Sequence, residues 1–316
     1  MATSAKPAQA RVARNHWMGE QATRLTALVF AGSILLITLL IVAVLLDRSS
    51  LALAKFGLGF FNGQNWDPNS DTFGALPFVY GTLLTSFLAL LIAAPLGVGA
   101  AIFLAELAPP SVSLVLTFLV ELLAAVPSVI YGLLAIFTLV PFMRDYAQPA
   151  LQKSFGFLPL FEGQIFGVGY LTAGVTLAIM TFPFIISISR EALLDVPREQ
   201  REAALALGAT KWESTFHIVL PNARLGILGS IFLGQARALG ETMAVTMVIG
   251  NDPSIKASLF APGYTIAAVI ANEFAEASGN LHLSALAALA FVLFLLTMVI
   301  NGAARLMIVA TARKGS

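Results

Sequence analysis

Residues 202–221 read EAALALGATKWESTFHIVLP and contain the helix signals on which the organisation of the chain depends. Thr210 and Glu213 have the T-x-x-E spacing of a capping box, which predicts that a helix begins after Thr210. Gly208 stands where a C′ residue would end the preceding helix, because glycine adopts a positive φ without steric cost. Pro221 predicts an interruption at the end of the stretch. The stretch is therefore predicted to form two short helices joined by a glycine-containing turn.

The composition around this stretch is that of a membrane protein. The chain has 316 residues, of which 58% are hydrophobic and 11% are charged, whereas a soluble domain has about 25% charged residues. Apolar segments long enough to span a bilayer recur along the chain. We predict an all-α integral membrane protein with six transmembrane helices, at Leu25–Leu46, Ala75–Leu104, Val112–Met143, Ile165–Ile188, Leu225–Gly250 and Leu283–Ala312.

Charge placement gives the orientation. The 22-residue run Leu25–Leu46 is longer than the apolar region of a signal peptide, so we interpret it as a retained first span. Twelve of the 18 Lys and Arg residues fall in the segments that a cytoplasmic N-terminus would place inside, against five in outer loops. Because positive residues favour the cytoplasmic side, both termini are predicted to be cytoplasmic. The segment PGYTIAAVIANEFAEASGN at 262–280 is predicted to form a short amphipathic helix on the outer face.

Several classes of function are disfavoured by the residues that are present. A helix–turn–helix at 190–224 could suggest DNA binding, but its five basic and five acidic residues cancel, whereas phosphate contacts need a basic excess. No nucleic-acid partner is therefore expected. The chain has no cysteine and three scattered histidines, so a metal site is not expected. It also lacks a P-loop and a nucleophile elbow, and no catalytic set is predicted.

The 190–224 loop is compatible with two roles. It could simply lie against the membrane surface, or it could dock into another protein, since the small Ala203 and Ala204 would allow close approach. Its pattern resembles the "EAA" loop of binding-protein-dependent ABC importer permeases, in which EAA, Gly and I-x-L-P recur at fixed spacings. The residues that carry this resemblance are Glu202, Ala203, Ala204, Gly208, Ile218, Leu220 and Pro221.

The resemblance implies a type I ABC importer permease-like fold with a cytoplasmic coupling helix. Residues 1–24 would be a cytoplasmic N-terminal segment, 25–46 the first transmembrane helix, and 75–312 a permease core of five transmembrane helices that includes the coupling loop 190–224. The expected partners are a homologous second permease subunit, two ATP-binding subunits, an extracytoplasmic binding protein and the lipid bilayer of a bacterial inner membrane. ATP and Mg²⁺ are expected on the partner ATPase, with no cofactor on this chain.

Two ionisable residues lie within the predicted fifth span, in the sequence GQARALGETMAV at 234–245. Arg237 is placed near the middle of the span, and Glu241 lies one turn further on the same helix face. A charge at that depth costs about 2.5–3.5 kcal/mol on insertion scales, so both side chains should face protein or water. They could merely neutralise each other, or Arg237 could form an anion path, because guanidinium matches oxyanions such as phosphate.

A second resemblance concerns the cargo. The run Arg237-Ala-Leu-Gly-Glu241-Thr242 and the segment that begins at Glu121, ELLAAVPSVIYG, resemble phosphate-specific importer permeases, and specifically their C subunit. The resemblance implies that Arg237, Glu241 and Thr242 line the translocation path of inorganic phosphate. Glu121 is a second acid predicted within a span, where it would pair with Arg237 or cap a polar network near Pro127.

Two other functions remain open from the residues alone. The chain could be a secondary, ion-gradient-driven anion transporter, although such proteins usually show inverted repeats and carry coupling residues within their spans. It could also be an ABC permease for another oxyanion, such as sulfate or molybdate.

Overall fold

The computed structural model describes the backbone of residues 6–313 and the side chains of residues 23–311. Most of this part of the chain is helical. The helices are α1 Lys6–Phe56, α2 Gly59–Asn62, α3 Leu76–Leu107, α4 Pro110–Ala124, α5 Ser128–Phe155, α6 Tyr170–Leu194, α7 Arg198–Ala206, α8 Lys211–Leu239, α9 Met243–Val248, α10 Ile266–Glu273 and α11 Asn280–Arg313. A two-stranded antiparallel hairpin, β1 Trp66–Asp67 and β2 Thr72–Phe73, precedes α3.

Six of the described helices are long and apolar enough to cross a membrane, namely α1, α3, α5, α6, α8 and α11. This confirms the predicted number of spans and the all-α membrane fold. Helix α1 is much longer than the predicted 25–46 span, because it is continuous from Lys6 to Phe56. Of the predicted N-terminal segment 1–24, residues 1–5 lie outside the described part of the chain, and the rest begins α1.

The third predicted span is wrong as a single helix. The chain forms α4 up to Ala124 and α5 from Ser128, with a break at Ala125–Pro127. Proline has no N–H to continue the hydrogen-bond ladder and disfavours helical geometry in the residue before it. The carbonyl of Leu123, at the end of α4, instead accepts a hydrogen bond of 2.7 Å from the Tyr131 hydroxyl. A side chain of α5 thus stabilises the break.

The fifth predicted span is also wrong at both ends. Its helix begins at Lys211 rather than Leu225 and ends at Leu239, and the short helix α9 follows after Gly240–Thr242. Pro221 does not interrupt the helix as predicted. It follows a π-helical turn, Thr215–Val219, and such a wider turn changes the pairing of carbonyls, so the helix continues past a residue that lacks an N–H.

The transmembrane core is formed by α6 packed between α3 and α8. Small residues allow the backbones to approach closely, as is usual between membrane helices. A Cβ added at Gly97 of α3 would lie 2.8 Å from Ile185, and one added at Gly234 of α8 would lie 3.0 Å from the same side chain. Ser189 and Ser230 share a buried hydrogen bond of 2.6 Å between α6 and α8. These contacts hold α8 in a fixed register against the core.

A second apolar cluster joins the hairpin, α10 and the start of α11. Helix α10 confirms the predicted short helix, but it does not merely lie on the outer face. The side chains of Ile266–Val269 are buried, and the Ile266 N–H donates to the Thr82 hydroxyl of α3 at 3.0 Å. On the other side, Glu273 accepts hydrogen bonds from Trp66 and pairs with His282, at 2.9 and 3.0 Å. Helix α10 is therefore packed into the protein.

Candidate functional site

The loop 190–224 has the capping signals that the sequence predicts, but its second helix is not short, because α8 continues from Lys211 to Leu239. Helix α7 begins at Arg198, directly after Pro197, and Gly208 follows its last turn with a φ of +93°. Thr210 and Glu213 form the predicted capping box: the Glu213 N–H donates to the Thr210 hydroxyl at 3.2 Å, and the Thr210 N–H donates to the Glu213 carboxylate at 2.8 Å. The turn between α7 and α8 is thus defined by local chemistry.

The residues of the EAA pattern are exposed or half-buried at the surface of this chain. Glu202 and Ala203 are exposed on α7, and Ala204 is half-buried. Leu207, at the end of α7, is 90% exposed. Ile218 and Leu220 are half-buried and Pro221 is exposed on the following helix. Leu205, Trp212 and Phe216 are also exposed nearby, and exposed apolar side chains grouped beside small residues are suited to the groove of a partner protein.

An arginine that sequence reasoning did not single out attaches α7 to the rest of the chain. The Arg201 guanidinium lies 2.9 Å from the carboxylate of Glu106, at the end of α3, and both side chains are largely buried, with 17% and 11% exposed. Nothing in the sequence signals this pair, because the two residues are 95 positions apart. The only available hint is that Glu106 is an acid at the end of an apolar span.

The second candidate region is the break between α8 and α9, which contains the predicted path residues. Arg237 lies in the last turn of α8 and is exposed. Its guanidinium lies 5.8 Å from the centre of the Phe184 ring, within the range of a cation–π contact. Phe184 is near the middle of the 25-residue helix Tyr170–Leu194, so Arg237 lies beside the middle of that helix.

No ion pair joins Arg237 and Glu241 within 4.0 Å among the side chains that the structure describes, so the alternative in which they neutralise each other is not seen. Glu241 instead accepts a hydrogen bond of 3.3 Å from the N–H of Ala244, in the first turn of α9. Cations are stabilised at helix C-termini and anions at N-termini. The break therefore places each charge at the helix end that favours it, which a continuous helix could not do.

Thr242 lies between the two helices. Its hydroxyl donates to the carbonyl of Gly240 at 3.3 Å, and its own carbonyl accepts hydrogen bonds from the N–H and hydroxyl of Thr246 at 3.0 and 2.7 Å. The side chain is half-buried. Thr242 thus helps to define the break and also lies next to Glu241.

The two breaks in the helices meet. A Cβ added at Gly132 of α5 would lie 2.5 Å from the sulfur of Met247 and 3.1 Å from the Cα of Ala244, so glycine allows α9 to pack directly on α5. The neighbouring Tyr131 is the residue that stabilises the α4–α5 break. The sequence motif contains Tyr131 and Gly132 but does not mark them as site residues.

Glu121 is placed apart from these contacts. It lies in the last turn of α4 and is exposed. Within the described part of the chain its side chain has no ion pair with Arg237 and no hydrogen bond, while its backbone carbonyl accepts from the Ala125 N–H. Neither of the two roles expected for it is seen in this chain.

Two further observations concern what the site could bind. A cavity of about 400 Å³ opens beside Tyr131, between α5 and α6, but leucine, phenylalanine and isoleucine side chains dominate its lining. It is therefore not suited to an anion, and the exposed guanidinium of Arg237 is the better candidate. Among residues 23–311, no group of three or more His, Asp or Glu side chains is placed to hold a metal ion.

The chain is similar to known transport proteins over most of its length. The family described as "Binding-protein-dependent transport system inner membrane component" matches residues 97–308. The phosphate transport system permease protein PstC of Mesorhizobium japonicum is 46% identical over 284 residues, which cover 88% of this chain and 87% of the relative. The PstC protein of Pasteurella multocida is 44% identical over 304 residues, 95% of each chain.

Solved structures show the same fold. A chain of the MetNI methionine ABC transporter in an inward-facing conformation aligns with a TM-score of 0.57 and 18% identity, covering 75% of this chain and 95% of that one. A chain of a bacterial ABC transporter for alginate import aligns with a TM-score of 0.55 and 14% identity, covering 92% and 98%. The predicted ABC importer permease fold is confirmed. The chain belongs to the family of binding-protein-dependent transport system inner membrane components, and within it to the PstC permeases.

Proposed function

We propose that this chain is the transmembrane permease subunit of an ATP-driven importer of inorganic phosphate. It would form the translocation path with a homologous second permease subunit, receive phosphate from an extracytoplasmic binding protein and couple through α7 to two ATP-binding subunits. ATP and Mg²⁺ would be bound by those subunits, with no cofactor on this chain. The complex would lie in a bacterial inner membrane, with both termini of this chain in the cytoplasm.

The observation that carries the cargo assignment is the exposed guanidinium of Arg237, which lies beside the middle of α6. No carboxylate lies within 4.0 Å of it among the described side chains, and the chain is a relative of phosphate permeases. A cation at this depth costs several kcal/mol unless it faces water or a partner, and α8 offers it only the partial negative charge of a helix end. An oxyanion that passes the break would complete its coordination, because guanidinium presents parallel donors to two oxygens.

Glu241 would control the site when no anion is present. Its carboxylate occupies the first turn of α9, where an anion would otherwise be attracted. We propose that it keeps the empty path close to neutral, which prevents anions from remaining trapped beside Arg237. It could also accept a hydrogen bond from HPO₄²⁻, a proton that sulfate lacks at neutral pH. Thr242 lies next to Glu241 and would line the same path, and Glu121 would face the second permease subunit.

The coupling residues have a separate role. Glu202, Ala203, Ala204 and Leu207 form the exposed end of the permease that the ATP-binding subunit would contact, while Gly208 sets the turn that presents them. Ile218, Leu220 and Pro221 lie where α8 begins, so movement of α7 would be transmitted to the helix that carries Arg237. ATP-driven closure would then rock the spans around the central site, as in alternating access.

The experiment that tests this proposal is labelled phosphate uptake in proteoliposomes that contain the chain with its second permease, ATP-binding subunits and binding protein. We expect uptake only when ATP is supplied on the side of the membrane that carries the ATP-binding subunits. We also expect an excess of sulfate or molybdate to compete poorly. Uptake by this chain alone, driven by an ion gradient, would show a secondary transporter instead. Strong competition by sulfate or molybdate would show that the cargo is another oxyanion.

A further inference from the structure

Helix α7 is attached to the spans mainly by one largely buried side chain. No residue of α7 is fully buried, but the Arg201 side chain is only 17% exposed and reaches back into the protein. Its Nε and Nη2 donate to Glu106 Oε1 at 3.2 and 2.9 Å, Nη2 also donates to the Leu193 carbonyl at 2.6 Å, and Nη1 donates to the Val196 carbonyl. One planar group therefore joins α7 to the ends of both α3 and α6.

The surroundings of this contact make it strong and specific. Leu104, Val196 and Val219 belong to the apolar cluster at this end of the bundle, and ion pairs that are shielded from solvent are screened less by salt. The remaining charged side chains of α7, Arg198, Glu199 and Glu202, are exposed. Among the described residues, one other hydrogen bond joins an α7 side chain to the spans. It is exposed and uncharged, and in it the Asn222 amide donates to the Gln200 side-chain oxygen at 3.0 Å.

We propose that the Arg201–Glu106 pair is the connection that makes α7 move as one rigid body with α3 and α6. Arg201 and Glu106 are then positioning residues that act through α7, and neither contacts the cargo. This inference rests on the proposed function, because a permease that is driven by ATP-binding subunits needs its docking helix tied to its spans. Loss of the connection would let α7 follow the ATPase while the spans remain still.

The shape of the donor group is essential to this role. A guanidinium presents several N–H groups in a fixed plane and serves the carboxylate and both carbonyls together, whereas a lysine ammonium is a point charge on a flexible stem. Arg201→Lys therefore keeps the charge opposite Glu106 but loses the simultaneous carbonyl contacts. Glu106→Gln keeps the size and an acceptor oxygen but leaves the buried arginine without a counter-charge.

The test uses the complete transporter in nanodiscs, with Glu106→Gln and Arg201→Lys compared with the wild type. The matched control is Glu191→Gln, which removes the partner of another arginine near the end of α6 in a pair whose carboxylate is 72% exposed. Three quantities are measured: retention of the ATP-binding subunits, phosphate transported per ATP hydrolysed, and amide hydrogen exchange at residues 198–206. The exchange measurement does not depend on the identity of the cargo.

We expect both variants to retain the ATP-binding subunits and to hydrolyse ATP, with faster exchange in α7. Phosphate transported per ATP should fall by about 5-fold or more, the lower end of typical coupling between sites, and the control should match the wild type. Unchanged exchange and an unchanged phosphate-to-ATP ratio in both variants would overturn the inference. If wild type fails to transport phosphate while the variants still loosen α7, the proposed cargo is wrong and the connection stands.

Discussion

Gly208 provides a prediction whose size can be worked from the backbone alone. Its φ is +93°, a conformation that costs a residue with a Cβ roughly 1–2 kcal/mol. A Cβ built at Gly208 would meet nothing within 4 Å, so the cost comes from the backbone conformation and not from a clash with neighbouring residues. Gly208→Ala should therefore shift the equilibrium between the observed turn and other loop conformations by a factor of about 5–30.

Three substitutions separate the backbone effect from other effects. Asparagine tolerates positive φ better than alanine does, and valine, which is β-branched, tolerates it worst. If the turn presents α7 to an ATP-binding subunit, Gly208→Asn should bind that subunit nearly as well as wild type. Gly208→Ala should bind up to about 5–30-fold more weakly, and Gly208→Val more weakly still, with all three chains inserted in the membrane normally.

The assay is the apparent dissociation constant of the isolated ATP-binding subunit for permease in nanodiscs, with circular dichroism as a control for overall helix content. Wild-type affinity in Gly208→Ala would refute the reasoning, because the strained turn would then have no cost. Equal loss in Asn and Ala would also contradict it, since the loss would then not follow the tolerance of each residue for positive φ.

Three further predictions concern other contacts. Gly132→Ala should weaken the packing of α9 on α5 by about 1–3 kcal/mol and lower the thermal midpoint in detergent, whereas Gly99→Ala, with no atom within 4 Å of the added Cβ, should not. Glu241→Gln should lower phosphate uptake and reduce the preference for phosphate over sulfate in a competition assay; unchanged values of both would sink its proposed role. Burial raises the pKa of Tyr264 from 10.0 to about 12, so the folded state holds this proton more tightly, and the associated stability is lost as pH rises from about 10 toward 12. Tyr264→Phe should flatten that part of the stability profile, and a profile identical to wild type would exclude a contribution from this hydroxyl.

Much of the architecture follows from local patterns in the sequence. Six apolar stretches give the number of spans, because a helix that crosses a bilayer needs a long apolar run, and such a run can be recognised from the sequence. The turn after α7 was predictable from Gly208, Thr210 and Glu213, since capping chemistry involves residues only a few positions apart.

The helix breaks were less accessible. Apolar residues continue on both sides of Pro127 and of Gly240–Thr242, so hydropathy alone does not show where a helix stops. Pro95 lies inside α3 and Pro183 inside α6 without ending either helix. The presence of a proline therefore does not by itself decide where a helix ends. At Pro127 the Tyr131 hydroxyl satisfies a carbonyl freed by the break, and that contact exists only once the chain has folded.

Long-range pairing explains the remaining errors and omissions at the site. The i,i+4 spacing of Arg237 and Glu241 suggested that they face each other, but that spacing applies only within a continuous helix. The Arg201–Glu106 pair joins distant parts of the sequence, and the charge pattern does not indicate which residues of α3 and α7 lie side by side. Such contacts depend on how the spans pack, which local sequence patterns do not specify.

The central claim is that Arg237 provides the anion contact in the translocation path, and one measurement tests it most directly. Labelled phosphate uptake is compared in the complete ATP-driven transporter for wild type, Arg237→Lys and Arg237→Gln, with assembly and ATP hydrolysis checked in parallel. A hydrogen bond to a charged group contributes about 1.5–3 kcal/mol, so Arg237→Gln should lose at least about tenfold in uptake, and Arg237→Lys should retain more because it keeps the charge. Phosphate uptake at the wild-type rate in Arg237→Gln, in a normally assembled complex, would contradict the account.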